Sequence, residues 1–327
     1  MKRNALQLAV IGALSMTSAS VFAAFVTLPS AGSPVAAGFN YSGSPAGTTA
    51  YVQCNTTGDL GSTPTTPPSS SSDACAVFPA NETTAPETGF TLVTAANRPI
   101  TVNNTYTGGV NKTVGNIQEY VWRNTAKTEC IYGMKAVMTA SASADYLPAS
   151  GTQYFEINDI ARGGFSGRPV AVAYYVPSLT AEVLFRAGLT FTSVQHRTPP
   201  EFAELPLTTP AHSSPQPSIV GVDAFPLSTV PTAAQQSAAI DGNWVNFTTD
   251  VNIQDDDGSS KAHSSVLYVK TTCDSSAPVA VPEAIRVRQS FQETNGDGVS
   301  ANRFIEVAIP GFVPPGGSVA PAHTNPF

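Results

Sequence analysis

Charge is scarce in this chain: Asp, Glu, Lys and Arg together make up 12% of it, about half the usual globular share. With Thr, Ser, Pro and Gly abundant in their place, this is the composition of a strand-and-turn protein, not of a helical one. Histidine is nearly missing too. The four histidines, His196, His212, His263 and His323, show no zinc-site spacing, and no C-x-x-C occurs. Basic clusters are absent, and 16 basic residues face 23 acidic ones for a net charge of −7. A chain without Lys/Arg clusters has nothing with which to displace phosphate counterions, so nucleic acid is excluded as a partner. No glycine loop that cradles phosphates precedes a helix pattern, which argues against nucleotide chemistry. Long apolar runs are also lacking. Beyond the first 23 residues the longest strongly apolar run, Val170 to Val176, is closed by Pro177 and falls far short of the ~20 residues a spanning helix needs. The residues before Phe327, namely Thr324, Asn325 and Pro326, cannot form the alternating last strand of an outer-membrane barrel.

What the chain does have begins at its amino terminus. Lys2 and Arg3 precede an apolar stretch from Ala5 to Met16 and a small-residue region from Thr17 to Ala23. That order is the pattern of a secretory leader of bacterial character, with Val21 and Ala23 at the −3 and −1 positions. Cleavage is expected after Ala23, which assigns residues 1–23 to a signal peptide and leaves a mature chain without a membrane span. The expected address is the periplasm, the cell surface or the extracellular medium.

All four cysteines, Cys54, Cys75, Cys130 and Cys273, lie beyond that leader. An even count in an exported chain favours two disulfides over metal or redox chemistry. Cys54 and Cys75 flank a stretch, 61–73, made almost wholly of Ser, Thr and Pro, and closing that loop would contribute about 3 kcal/mol by chain-entropy reasoning. In the strand pattern Glu129 to Met138, Cys130 shares its parity with Tyr132, Met134, Ala136 and Met138. In Ser265 to Cys273, Cys273 shares its parity with Leu267, Val269 and Thr271. Side chains alternate across a strand, so both cysteines point with the apolar set and are expected to pair. Four cysteines allow three connectivities.

Other strand patterns cover Gly38–Tyr41, Thr48–Gln53, Asn116–Arg123, Thr152–Asn158, Arg168–Val176, Thr190–His196 and Trp244–Asn252. Near the end, Ile285, Val287 and Phe291 alternate with charged and polar residues, as do Ile305, Val307 and Ile309, predicting a hairpin around Glu293 to Asn302. The one short helix expected is Thr232–Ile240. Together these predict an all-β protein, a β-sandwich for which a jelly-roll connection is one arrangement, with long Ser/Thr/Pro-rich loops and little helix. An irregular β-rich segment over 24–103 is expected to precede a main sandwich domain over 104–327, with 198–231 as a long insertion.

Candidate chemistry is sparse. Asp255-Asp256-Asp257-Gly258 reads as a tight acidic turn; the competing reading is a calcium site, the only cofactor the sequence offers. The loop at Asn295, Asp297 and Glu306 lacks the EF-hand glycine. Gly164-Phe165-Ser166-Gly167 is not a nucleophile elbow, since its second glycine comes one residue early. The carboxylate pairs Glu156 with Asp159 and Glu201 with Glu204 read as solvated loop charge before they read as a glycosidase dyad. Trp122 and Trp244, with Tyr120, Tyr154, Tyr174, Tyr175 and Tyr268, read as core residues before they read as a sugar platform. The Asn-x-Ser/Thr sequons read as a by-product of abundant Asn and Thr.

No catalytic motif is assembled, so no catalytic, cofactor-binding or metal residue is assigned. The leading expectation is a non-enzymatic secreted or cell-envelope protein with a structural, adhesive or surface-binding role, its partner a surface polymer, a carbohydrate or another envelope protein. The alternatives are a secreted hydrolase or carbohydrate-binding module stabilised by calcium, and a periplasmic binder of a small ligand.

Overall fold

The computed structural model describes residues 25–31, 33–34, 48–49, 51–54, 75–103, 107, 109–140, 154–178, 181–182, 184, 186–190, 241–254, 260–290 and 304–319. None of these lies in a helix. The strands, numbered along the chain, form two six-stranded sheets. The first runs in the order β1 (Val26–Leu28), β9 (Val170–Tyr175), β12 (Val266–Thr272), β7 (Glu129–Met138), β6 (Lys112–Asn124) and β5 (Phe90–Val102). The second runs β14 (Phe304–Val313), β13 (Val279–Ser290), β8 (Ile157–Gly163), β11 (Trp244–Val251), β10 (Arg186–Gly188) and β4 (Tyr51–Gln53). A separate two-stranded ribbon pairs β2 (Ser33–Pro34) with β3 (Thr48–Thr49). Every ladder is antiparallel.

The architecture is a β-sandwich whose core lies between the two sheets. Cys130, Tyr132, Met134, Ala136 and Met138 of β7 and Leu267 and Val269 of β12 face it from one side. Ile160, Val245, Phe247, Ile285 and Val287 face it from the other. Each fully buried aliphatic or Phe side chain of this kind contributes roughly 1.5–3 kcal/mol, which makes the core the main favourable term in folding.

Alternation also sends a second apolar set outward from the first sheet: Tyr120, Trp122, Ile131, Ala173, Val266 and Tyr268. These are buried as well, because the segment 77–88 crosses over them as a strap. Its backbone begins beside β9, where the Val77 N–H donates to the Tyr174 carbonyl at 2.8 Å. Further on, Trp122 Nε1 donates to the Thr83 carbonyl at 3.0 Å. Gly133 makes room for the Trp122 ring, since a Cβ there would lie 2.6 Å from it. In the second sheet Gly163 does the same for Trp244, with ring atoms 3.0–3.1 Å from where its Cβ would be.

Several sequence expectations fell short here. The strand predicted over Thr152–Asn158 overlaps β8 only at Ile157 and Asn158, and β8 continues to Gly163. Asp159 was read as solvated loop charge, whereas Asp159 and Arg162 are both buried and paired. β5, thirteen residues long, was not anticipated because Pro99 interrupts it. As the outermost strand, β5 tolerates a residue without an N–H, and register shifts at Leu92/Thr94 and Ile100/Thr101 kink it further. β1, β4 and β5 bring residues ahead of position 104 into the two main sheets. The predicted strand at Gly38–Tyr41, the helix at Thr232–Ile240 and the loop around Glu293 to Asn302 lie outside the described residues. So does all of the predicted strand Thr190–His196 after Thr190.

Two disulfides cross-link the chain. Cys54–Cys75 spans a sequence separation of 21, and Cys130–Cys273 a separation of 143, with Cα atoms 4.9 and 5.6 Å apart. The second joins the neighbouring strands β7 and β12 at their ends, where the Cys273 N–H also donates to the Thr128 carbonyl at 2.9 Å. By loop-closure entropy the short bridge contributes about 3 kcal/mol and the long one about 5 kcal/mol. Urea unfolding of Cys→Ala double variants is therefore expected to show a larger loss for Cys130/Cys273 than for Cys54/Cys75. Equal losses would mean that native-state effects, not chain entropy, set the contribution of the bridges.

Candidate functional site

Although charge is scarce in this chain, several charged side chains are buried among the described residues, including Glu119, Asp159, Arg162, Arg286 and Arg288. β6 presents Ile117, Glu119 and Val121 to the core at one parity, and β8 presents Ile160 and Arg162 to the same space. Glu119 and Arg162 are both fully buried and meet there as an ion pair, Arg162 Nη2 donating to Glu119 Oε1 at 2.5 Å. The same oxygen accepts the Phe312 N–H of β14 at 2.6 Å, and Glu119 Oε2 accepts from Arg98 Nε of β5 at 2.6 Å. Arg162 Nη2 also donates to the Phe312 carbonyl at 2.6 Å. Arg98 lies over the Phe312 ring at 4.8 Å and Arg162 over the Tyr132 ring at 5.3 Å. Burial pulls the Arg162 guanidinium below its ordinary range, and the Glu119 carboxylate opposes that pull. Burial also pushes the Tyr132 phenol up to about 12, partly offset by Arg162 and other cations.

A second polar group sits on the outward face of the second sheet. Asp159 lies opposite Thr248 of β11 and Arg288 of β13 in the register. Its Oδ1 accepts from Arg288 Nη1 at 2.7 Å and from Asn246 Nδ2 at 2.9 Å. Beside it, Arg286 pairs with Glu283 at 2.7 Å. Glu283 adopts a φ of 61° within a register shift of β13, and that turn brings its carboxylate back toward Arg286. Asp159, Asn246, Arg286 and Arg288 are all fully buried.

The third arrangement lies along the strap on the first sheet. Glu82 pairs with Lys135 at 2.6 Å and Glu87 with Lys270 at 2.7 Å, and Lys270 also lies 4.8 Å from the centre of the Phe25 ring. His263 is half-buried next to the first pair, and burial with the Lys135 cation lowers its pKa against the opposing effect of Glu82. At the strap's edge an open depression of about 420 Å³ is lined by Ala80, Asn81, Glu82, Thr83, Tyr175 and Pro177.

The structure separates most of what the sequence offered as chemistry. Trp122, Trp244, Tyr120, Tyr174 and Tyr268 are buried, so they form no sugar platform; Tyr154 and Tyr175 are half-exposed. Glu156 and Asp159 do not act as a dyad, because Glu156 accepts from Asn158 while Asp159 is held by Arg288 and Asn246. Ser166 is exposed on a turn, its N–H donating to Asn243 Oδ1 at 3.1 Å. Asp255 to Asp257, Glu201 and Glu204 lie outside the described residues. Among the described residues, no three His, Cys, Asp or Glu side chains are grouped as a metal site. Sequence reasoning missed Glu119 and Arg162, although each broke an apolar parity, which was the signal that marked them. Compared with family models, curated proteins and solved structures, the chain matches none.

Replacing Arg288 with Met strands a buried carboxylate and is expected to cost about 3–5 kcal/mol in urea unfolding. Lys270→Met, at a partly exposed pair, is expected to cost about 0–1 kcal/mol. Comparable losses would contradict the assignment of Asp159 to a buried pair. His263 binds its proton less readily in the folded chain than in the unfolded one. Its contribution is therefore complete above the unfolded pKa, near 6.5, and is lost as pH falls below it. Unfolding free energies at pH 7.5 and 5.5 should fall more steeply for the wild type than for His263→Gln, and parallel lines would refute the assignment.

Proposed function

We propose that this chain is an exported, non-enzymatic β-domain of the cell envelope or extracellular space, with a structural, adhesive or surface-binding role. Two disulfides are the mark of a protein that matures in an oxidising compartment outside the cytoplasm. No helix of the described residues is long and apolar enough to cross a membrane. The leader-like residues 1–23 support a route of export through a cleaved signal.

The observation that carries the reading is the use made of the interior carboxylates. An acid–base catalyst needs a group poised within reach of a reacting bond. Glu119 instead accepts three hydrogen bonds between the sheets, and Asp159 accepts two on the outward face. Both are engaged as fasteners of a rigid body. Such a body suits a load-bearing or adhesive module that works where no chaperone or reductant restores it.

The test is to purify the natively exported protein and sequence its amino terminus. A start at Ala24, retention on envelope material and no turnover of ester or polysaccharide substrates are expected. Multiple turnovers of either substrate class would overturn the non-enzymatic reading, and an intact leader would overturn the export route.

A further inference from the structure

The strap is attached to the first sheet in a different way from the strands. None of residues 78–88 is buried, and among the described residues no backbone–backbone hydrogen bond joins them to the sheet. The Thr83 carbonyl accepts the Trp122 indole N–H at 3.0 Å, and Ala85 packs half-buried against the aromatic floor. The other fastenings are two ionic latches in which the strap supplies both carboxylates and the sheet both cations. Glu82 pairs with Lys135 of β7 and Glu87 with Lys270 of β12. Water reaches the carboxylate side of each, Glu82 at 28% exposure and Glu87 at 39%, so each latch contributes little and is weakened by salt.

The two ends of the strap are fixed. At the first, Cys75 is tied to Cys54, its carbonyl accepts the Tyr174 N–H at 2.9 Å, and the Val77 N–H donates to the Tyr174 carbonyl at 2.8 Å. At the second, the Gly89 carbonyl accepts the Thr125 N–H at 3.2 Å before Phe90 opens β5 opposite Asn124. Gly89 holds a φ of 85° with open space where a Cβ would lie, so the backbone turns there without a side chain to obstruct it. A weakly held segment between two anchored ends has the properties of a local opening unit.

The floor beneath it survives such an opening. The Trp122 ring stacks on Tyr120 at 5.4 Å and meets Tyr268 edge-on at 5.7 Å, and all three residues belong to the sheet. The Tyr268 hydroxyl is buried without a hydrogen-bond partner, with Tyr175, Glu82 and Tyr120 around it. Water admitted by a raised strap would satisfy that hydroxyl and offset part of the cost of wetting the rings.

We propose that residues 78–88 form a flap that lifts from the folded sandwich between Val77 and Gly89, latched by the Glu82–Lys135 and Glu87–Lys270 pairs, and that its opening uncovers the Tyr120, Trp122 and Tyr268 strip while both sheets stay intact. Ionic strength therefore sets how often the strip is exposed. This is a property of the fold and stands whether or not the surface-binding reading holds.

The test is native-state hydrogen exchange of the full-length exported protein, read by NMR at the Trp122 indole N–H, whose acceptor lies on the flap, and at amides in the centre of β12. The indole is expected to be at least about tenfold less protected than those amides. Raising NaCl from about 0.1 to about 1 M, which shortens the screening length from ~10 to ~3 Å, should lower its protection a further two- to fivefold or so. Glu82→Gln and Glu87→Gln should each have an effect of similar size, and in the double variant salt should no longer act. Glu87 is exposed, so its variant decides the matter even if Glu82→Gln fails to fold. Indole exchange in step with the β12 amides under every condition would mean that the strap leaves only when the sandwich unfolds, and would overturn the flap. Faster indole exchange that neither salt nor the substitutions alter would overturn the latches.

Discussion

A carboxylate with no access to water, Glu119, holds the sandwich closed. Its three hydrogen bonds come from three strands: Arg98 on β5, Arg162 on β8 and the Phe312 N–H on β14. One of these strands belongs to its own sheet and two to the opposite sheet. Hydrophobic contacts between the sheets tolerate sliding, because apolar attraction has no direction. A buried ion pair does not, since any shift that separates Glu119 from Arg162 leaves the Arg162 guanidinium without its carboxylate in a low-dielectric interior.

The rest of the architecture follows from that constraint. Arg162 reaches Glu119 only if β8 turns its Ile160/Arg162 parity inward, which sends Asp159 outward to meet Arg288 and Asn246. Phe312 reaches it only if β14 lies against β5 and β6. There its N–H and carbonyl are taken up by side chains of the two sheets, which removes exposed backbone groups from an edge strand. On the far side of the first sheet, outward Tyr120, Trp122 and Tyr268 need a cover. The strap supplies one, fastened by Glu82 to Lys135 and by Glu87 to Lys270. The depression at Tyr175 exists because the strap turns across the sheet there.

Much of this was legible in the residues, and the part that was not has a physical reason. The parity of β7, with Cys130, Tyr132, Met134, Ala136 and Met138 on one side and Lys135 on the other, could be read directly, and the all-β sandwich followed from such runs. Where polarity and burial disagreed, the reading failed. β8 carries Asn158, Asp159 and Arg162, and all seven of its residues are buried. A strand of that kind makes sense only once the partners of its charges are known: Glu119 for Arg162, 43 residues away, and Asn246 and Arg288 for Asp159, 87 and 129 residues away. β5 was hidden by Pro99, which only an edge position accommodates. The candidate site was illegible for a related reason. Asn81 and Tyr175 are far apart in sequence and ordinary in type, and only the crossing of the strap beside β9 brings them to one depression.

A protein so assembled uses part of its limited charge for mechanical definition, in the buried pairs Glu119–Arg162 and Asp159–Arg288. The central claim is the coupling between the sheets through Glu119 and Arg162, and a double-mutant cycle with Glu119→Gln and Arg162→Met tests it most directly. Urea unfolding of the wild type, both single variants and the double variant should give a coupling energy of about 2–3 kcal/mol, with the double variant recovering part of the single losses. Losses that add to within ~0.5 kcal/mol would contradict the account, because the two groups would then stabilise the protein independently.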